Sequence, residues 1–458
     1  MTVNEFIDFY RRHLDYAPNA QQTAVIGALA RFCSDRVDGE AVFLLNGYAG
    51  TGKTSLIGGL VKALSALNVP VVLLAPTGRA AKVFSKMASR PAYTIHRRIY
   101  RMDSSGAASL AVNTTPGTIF IVDEASMIGS ESGLLEDLMT YAFSADHCKM
   151  ILMGDTAQLP PVGCTVSPAL EVETLKGFGL RVSRAILTDT VRQGHRSGIL
   201  KNATWLRRAM LLDPLPEPKL FIGQRDDVSA VDAADLPDEL AASYSSVGKA
   251  ETILITRSNK RATGFNLAIR QRIFDLEEEL ARGERLLVAK NNYYWSRSVK
   301  GLDFIANGDV AVVDRVVATE NLGGFRFADV DLTLPDRDIS LRAKIMLEPL
   351  ISDYPAMTAE RMSGLMELRL REIAPRASES AAMKALRDDP YVNALQVKYA
   401  YAVTCHKAQG GQWADVYVDM GYIPPEAMGM DFYRWLYTAT TRATSRLFFI
   451  APTVETAP

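Results

Sequence analysis

The segment Gly47-Tyr48-Ala49-Gly50-Thr51-Gly52-Lys53-Thr54 restricts the fold more than any other part of the chain. It follows the apolar run Ala41-Val42-Phe43-Leu44-Leu45 and precedes Leu56, Ile57, Leu60, Val61 and Leu64, which recur at helical spacing. A strand with no polar residue is buried on both faces, so this strand, turn and helix require a sheet covered by helices on each side. The spacing G-x-x-x-x-G-K-T turns successive backbone N–H groups toward a polyphosphate. Lys53 then reaches the terminal phosphates and the Thr54 hydroxyl is offered to Mg²⁺. The residues expected to hold a nucleoside triphosphate are therefore Gly47, Gly50, Thr51, Gly52, Lys53 and Thr54.

The same reading extends along the first 190 residues, where Val71-Val72-Leu73-Leu74, Ile119-Phe120-Ile121-Val122 and Met150-Ile151-Leu152-Met153 are further unbroken apolar strands. Around Asp103-Ser104-Ser105-Gly106 the pattern lapses, and a small β-hairpin is expected over 98–117. A second alternating region starts near 191, with a strand at Thr252–Thr256 and a helix expected from Asn259 to Leu280; it resumes after about 396. Between the halves, Gly308–Thr319, Phe325–Leu334 and Ile339–Leu347 read as strands joined by Gly-Gly and Pro-Asp turns, a small β-barrel, with a charged helical stretch over 353–390. The expected division is 1–190, then 191–290 with 396–458, with 291–395 as the inserted barrel.

Composition excludes some classes. Of 458 residues, 48% are hydrophobic and 22% charged, which is globular, and the formal charge of −1 gives no basic excess to announce a nucleic-acid binder. The four cysteines form no C-x-x-C pair, so neither a zinc site nor a disulfide framework is expected, and a reduced, cytoplasmic setting fits. Residues 1–14 read as an amphipathic helix, not a signal peptide, and no segment reads as a membrane span.

Two further motifs carry chemistry. Asp123-Glu124 closes a buried strand, where Asp123 is suited to Mg²⁺ and Glu124 to polarising an attacking water. Gly154-Asp155-Thr156-Ala157-Gln158 follows the next strand and shares its carboxyl edge, placing Gln158 where an amide can bond both water and the terminal phosphate.

This run of motifs resembles a superfamily 1 helicase of the RecD and Dda type over nearly the whole chain. Ala75-Pro76-Thr77-Gly78-Arg79-Ala80-Ala81 and Thr94-Ile95-His96-Arg97 match two of the family's DNA-contacting segments, and Ala20-Gln21-Gln22-Thr23 its adenine-reading glutamine. Either glutamine fits that last motif, with the spacing to Ala24-Val25 favouring Gln21. Val191-Arg192-Gln193, the run from Tyr401 to Gln412 that contains Thr404-Cys405-His406-Lys407-Ala408-Gln409-Gly410, and the run from Trp435 to Ala443 that contains Arg442 match segments of its second domain. The resemblance implies two RecA-like α/β domains with ATP and Mg²⁺ between them, the barrel being SH3-like. It makes Lys53, Asp123, Glu124, Gln158, Arg192 and Arg442 catalytic, and Gln21 and Gln412 contacts to the nucleotide. Thr77, Thr94, His96, Thr404 and His406 become contacts to DNA. It further implies a monomer that moves 5′→3′ on single-stranded DNA and unwinds duplex DNA, and leaves the pathway and any replication or repair partners open.

Two departures stand out. Gly411-Gln412 replaces the Gly-x-Glu of many relatives, leaving a neutral contact to the ribose, and no long domain precedes the glutamine motif, as in the Dda type. Arg282, Arg285, Lys290, Arg297 and Lys300 surround Tyr293-Tyr294-Trp295, which reads either as a strand-tracking surface or as packing against the barrel. The hairpin resembles the family's duplex-splitting pin. The rival readings are an RNA-directed helicase, a P-loop switch acting on a protein partner, and an inactive DNA-binding module.

Overall fold

The computed structural model describes residues 2–34, 40–102, 108–130, 133–190, 197–223, 225–302, 304–373 and 378–457. Its first sheet explains the apolar strands. Phe43 and Leu45 pack into one core with Leu56, Leu60 and Leu64 of the helix Lys53–Ala66, while Val42 and Leu44 face a second core with Leu134, Leu135 and Leu138. Side chains alternate across a strand, so helices on both faces demand apolar residues at every position. The sheet has six strands in the order Ala92–Thr94, Val71–Ala75, Ile119–Val122, Lys149–Gly154, Ala41–Gly47, Arg181–Leu187, all parallel.

A second parallel sheet has five strands in the order Val228–Val231, Ala443–Ile450, Trp413–Asp419, Thr252–Thr256, Ala402–Thr404. The chain thus has the two α/β domains expected. The helix after Thr256 runs only from Asn259 to Arg272, short of the expected Leu280. Asp275 takes a left-handed backbone, φ 52°, and the Leu276 N–H returns to the Arg270 carbonyl at 2.9 Å, which closes the helix. The buried Arg270 guanidinium, held by Glu284, also bonds the Glu278 carbonyl and fixes the following turn.

Between the halves lies a closed barrel of Arg285–Val288, Val310–Leu322, Phe325–Leu334, Ile339–Met346 and Leu395–Tyr399. It takes in residues before 291 and beyond 395 that the sequence pattern assigns to the second domain. Leu286 and Val288 fill the barrel, whereas Leu287 packs on the second α/β domain, so this barrel strand is apolar on both faces like a core strand. The last two barrel strands pair in parallel, which needs a crossover. The helices Glu348–Ile351, Ala359–Ile373 and Glu379–Arg387 supply it. Only Ala400 and Tyr401 separate the closing barrel strand from Ala402–Thr404 of the second sheet.

The N-terminal helix Val3–Arg12 opens with a Thr2–Glu5 capping box, and the Tyr10 hydroxyl donates to the Leu56 carbonyl at 2.7 Å. Tyr100–Met102 pairs antiparallel with Ala108–Leu110, forming the base of the expected hairpin; its tip, 103–107, lies outside the described residues. Among the described residues, no helix is long and apolar enough to cross a membrane.

Candidate nucleotide and nucleic-acid sites

The glycine-rich loop sits at the carboxyl end of Ala41–Gly47 and needs its glycines. Gly50 and Gly52 have φ of 77° and 83°, and a Cβ on Gly50 would come within 2.9 Å of the Leu200 side chain. Thr51 is fully buried and donates from its hydroxyl to the Tyr48 carbonyl at 2.8 Å, so its side chain braces the loop. Lys53 folds back to donate to the Gly47 and Tyr48 carbonyls.

A cavity of about 270 Å³ opens over this loop. Gly52, Lys53, Thr54, Asp123, Glu124 and Gln158 form its first-domain wall, and Gln412 and Arg442 stand on the second-domain side. Desolvation, with the Glu124 carboxylate beside it, pushes the Asp123 carboxyl up to about 7. A desolvated carboxylate and a threonine hydroxyl are hard oxygen donors, so Asp123 and Thr54 fit Mg²⁺. Glu124 has a left-handed backbone, φ 53°, uncommon for a non-glycine residue, and its N–H is held by Asp123 Oδ1 at 2.9 Å. Gln158 is 7% exposed and its Oε1 has no partner among the described residues, an acceptor waiting for a donor such as water.

The second wall is tied down within its own domain. Arg442 is 3% exposed; its guanidinium donates to the Thr438 carbonyl at 3.0 Å, the Gly411 carbonyl at 3.3 Å and the Thr441 hydroxyl at 3.1 Å. Arg192, the other expected arginine, lies outside the described residues.

Gln21 does not reach the cavity. Its amide donates to the Thr188 hydroxyl and accepts from the N–H groups of Thr188 and Asp189 at 2.7 and 3.0 Å. Gln22 lines the cavity instead and donates to the Thr51 carbonyl at 3.1 Å. A reciprocal pair fixes its orientation: Asn19 Oδ1 accepts from the Gln22 N–H at 2.8 Å and Gln22 Oε1 from the Asn19 N–H at 3.1 Å. The N-x-x-Q spacing at Asn19 is the capping-box signal that distinguishes the two glutamines.

Sequence reasoning also missed Tyr437 as a residue with a role of its own. From the second-domain helix Met430–Thr440 its hydroxyl accepts from the Ala49 N–H of the loop at 2.9 Å and donates to Asp155 Oδ2 at 2.7 Å. The neighbouring Thr438 hydroxyl accepts from the Leu159 N–H at 2.8 Å, and the Gln409 amide donates to the Leu159 carbonyl at 2.7 Å. The second domain thus grips both the loop and the segment carrying Gln158.

The candidate DNA contacts separate into groups. Thr77 follows one strand and Thr94 ends its neighbour, and both hydroxyls accept helix-capping N–H groups, from Ala80 at 3.2 Å and Arg97 at 3.3 Å. His96 packs between Tyr100 and Phe304, and desolvation lowers its pKa. Thr404 ends a strand of the second sheet, and its hydroxyl makes no capping bond. His406 is exposed and lines, with Thr77, a cavity where all three domains meet. The aromatic run at 293–295 is largely structural: Tyr293 stacks on Phe304 and the Trp295 indole N–H donates to the Asn393 carbonyl at 2.9 Å.

Two parallel-sheet domains sharing one phosphate-binding cleft define the class of tandem P-loop ATPases. Residues 18–209 match the AAA domain family, and residues 399–450 match the UvrD-like helicase C-terminal domain. These matches fall largely on the first and second α/β domains respectively, and the chain is similar over most of its length to helicases of the RecD type.

It is 23% identical over 417 residues to the ATP-dependent RecD2 DNA helicase of Deinococcus radiodurans, covering 90% of this chain and 47% of that protein. It is 22% identical over 528 residues to DNA helicase B of Mus musculus, covering 98% of this chain and 46% of that one. The chain thus spans about half the length of these two relatives. An uncharacterised mimivirus protein, R530, is 22% identical and matched over 99% of its length, with 94% of this chain covered. Among solved structures, Pif1 helicase from Bacteroides in complex with ADP-AlF3 and single-stranded DNA aligns over 96% of this chain and 94% of that one, at 15% identity and a TM-score of 0.49.

Proposed function

We propose that the chain is a DNA-dependent ATPase that uses ATP to move 5′→3′ on single-stranded DNA and to unwind duplex. The observation that carries this reading is the composition of the nucleotide cavity, whose two walls come from two domains of one chain. A protein whose ATP site bridges two domains converts ATP binding and hydrolysis into relative motion of those domains. Both walls being in one chain also supports action as a monomer, and the free state of all four cysteines supports a reducing, cytoplasmic setting.

Each residue then has a task. Loop N–H groups and Lys53 bind the phosphates, Lys53 leaving its carbonyl partners to do so. Glu124 accepts a proton from the attacking water, which Gln158 Oε1 orients. Mg²⁺, held by Thr54 and Asp123, neutralises charge on the phosphates when bound. Arg442 faces the terminal phosphate from the second domain, so charge stabilisation is complete only with the cleft closed. Gln22 stands in place of Gln21 as the glutamine nearest the nucleotide.

The test is strand displacement on duplexes with a 5′ or a 3′ single-stranded tail, with Lys53→Ala as control. Unwinding from the 5′ tail alone, with no hydrolysis by the variant, is expected. Undiminished DNA-stimulated hydrolysis by Lys53→Ala overturns the assignment, unwinding only from the 3′ tail overturns the polarity, and stronger stimulation by matched RNA than by DNA overturns the substrate.

A further inference from the structure

The cavity where the three domains meet, about 180 Å³, is walled by Arg79 of the first domain, Lys407 and Lys249 of the second and Arg285 of the barrel, Lys249 lying on the Phe274 ring. No Asp or Glu stands among its described lining residues. Lys407 donates to the Asn307 side chain, and Arg79 lies on the Trp413 ring, its guanidinium carbon 4.0 Å from the centroid. Neither the Arg79 nor the Arg285 guanidinium makes a hydrogen bond or ion pair among the described residues. The carboxylates that act on them from further off are engaged elsewhere: Asp336 pairs with Lys82 at 2.8 Å, and Glu251 accepts from the Ala414 N–H at 3.3 Å.

Such an arrangement is costly as it stands. A half-buried guanidinium has lost water without gaining an acceptor, and a second cation facing it adds repulsion. The pKa directions agree: desolvation pushes Arg79 down to about 10 and lowers Arg285 and Lys407. Stacking on Trp413 accounts for Arg79 alone. It leaves Arg285 and Lys407, brought to the same cavity by two other domains, without a reason.

We propose that this junction is the seat of a phosphate group, filled in the working protein by a backbone phosphodiester of the bound strand. Two guanidinium forks and an ammonium suit phosphate oxygens, and Thr77 and His406 on the same wall place the cavity beside the expected strand path. The assignment to the strand rests on the DNA-motor reading above; the phosphate chemistry of the seat does not. Because its cations come from all three domains, an occupied seat ties the barrel to both halves of the motor.

The test measures affinity for oligo-dT against salt concentration for the wild type, Arg285→Gln, Arg79→Gln and, as a control on the barrel surface, Arg315→Gln. Each phosphate that is no longer neutralised reduces the single-strand salt slope by about 0.7, so the affinity drop between about 50 and 200 mM salt shrinks by about 2.6-fold. Arg285→Gln and Arg79→Gln are expected to show this reduction with unchanged ATP-analogue affinity and an unchanged or raised Tm. The control keeps the full slope. Arg285→Lys retains most of it, which separates charge from packing should one glutamine variant fold poorly.

A second arm adds inorganic pyrophosphate in a Lys53→Ala background and follows Tm. A pyrophosphate shift abolished by Arg285→Gln, with the DNA slope intact, overturns the strand as occupant and assigns the seat to free phosphates. Unchanged slope together with an unchanged pyrophosphate shift overturns the seat. Failure of the wild type to bind oligo-dT at any salt counts against the motor reading instead, and the pyrophosphate arm still decides the seat.

Discussion

The cleft between the α/β domains and the junction beneath the barrel are both rimmed by cations, yet they hold their charge in opposite ways. In the cleft, Lys53 and Arg442 are already hydrogen-bonded to groups of their own domains. At the junction, Arg79 and Arg285 face space with no acceptor among the described residues. A ligand entering the cleft exchanges one set of bonds for another, so binding there reports small differences and responds to whether the terminal phosphate is present. A ligand entering the junction relieves repulsion outright and stays while the domains stay together. The first behaviour suits a site that cycles, the second one that holds.

The strongest way to break this contrast is to remove the cleft's far arginine. Arg442→Ala is expected to lower ATP turnover by about 10³-fold or more while nucleotide still binds the first wall, as read by steady-state hydrolysis and analogue titration. Turnover within tenfold of wild type would show that Arg442 is only a structural brace for Thr438 and Gly411. On the opposite wall, Glu124→Gln is expected to cost about 10²–10⁴-fold in turnover with little change in nucleotide affinity.

A smaller effect sharpens how the walls communicate. Tyr437→Phe strips the Ala49 N–H and Asp155 of one partner each, and should weaken domain closure by about 1–3 kcal/mol, measured by energy transfer between labels on the two α/β domains. Closure equal to that of the wild type would remove Tyr437 from the coupling. Smaller again is Tyr10→Phe, which removes a buried bond to the loop's helix and should cost about 1 kcal/mol of stability without altering turnover.

The least effect is pH-dependent. His96 is half-buried against Tyr100 and Phe304 with its pKa held below the ordinary 6.5, so its neutral form belongs to the folded state. Its contribution is complete above that value and is lost as pH falls through the depressed folded pKa. His96→Gln should flatten the acid side of the stability profile, and an unchanged profile would show that the ring is not held neutral.

Local pattern reveals much of this molecule because the parts that bind phosphate are local. Loop, strand and helix are contiguous at 41–66, and Asp123, Glu124 and Gln158 each follow an apolar run that announces a buried strand. The strand at 285–288 falls outside the expected barrel because a barrel wall packed on another domain is apolar on both faces, which hydropathy alone does not separate from the middle of a parallel sheet. Which glutamine lines the cavity is legible in Asn19, whereas the spacing to Ala24 and Val25 points to Gln21, which does not line it. Tyr437 lies within a matching motif, but its bonds to Ala49 and Asp155 span hundreds of residues and no periodicity encodes them. The junction is hidden for the same reason: Arg79, Arg285 and Lys407 are ordinary surface charges until three domains converge.

The barrel's closing strand enters the second sheet after only Ala400 and Tyr401, and the Ala400 N–H bonds the Arg285 carbonyl of the opening strand at 3.0 Å. A link that short has no slack. The barrel is therefore placed by the strand that ends at Thr404 rather than by a long tether. Any movement of the barrel relative to the second sheet must pass through Ala400 and Tyr401, next to the residues beside the expected strand path.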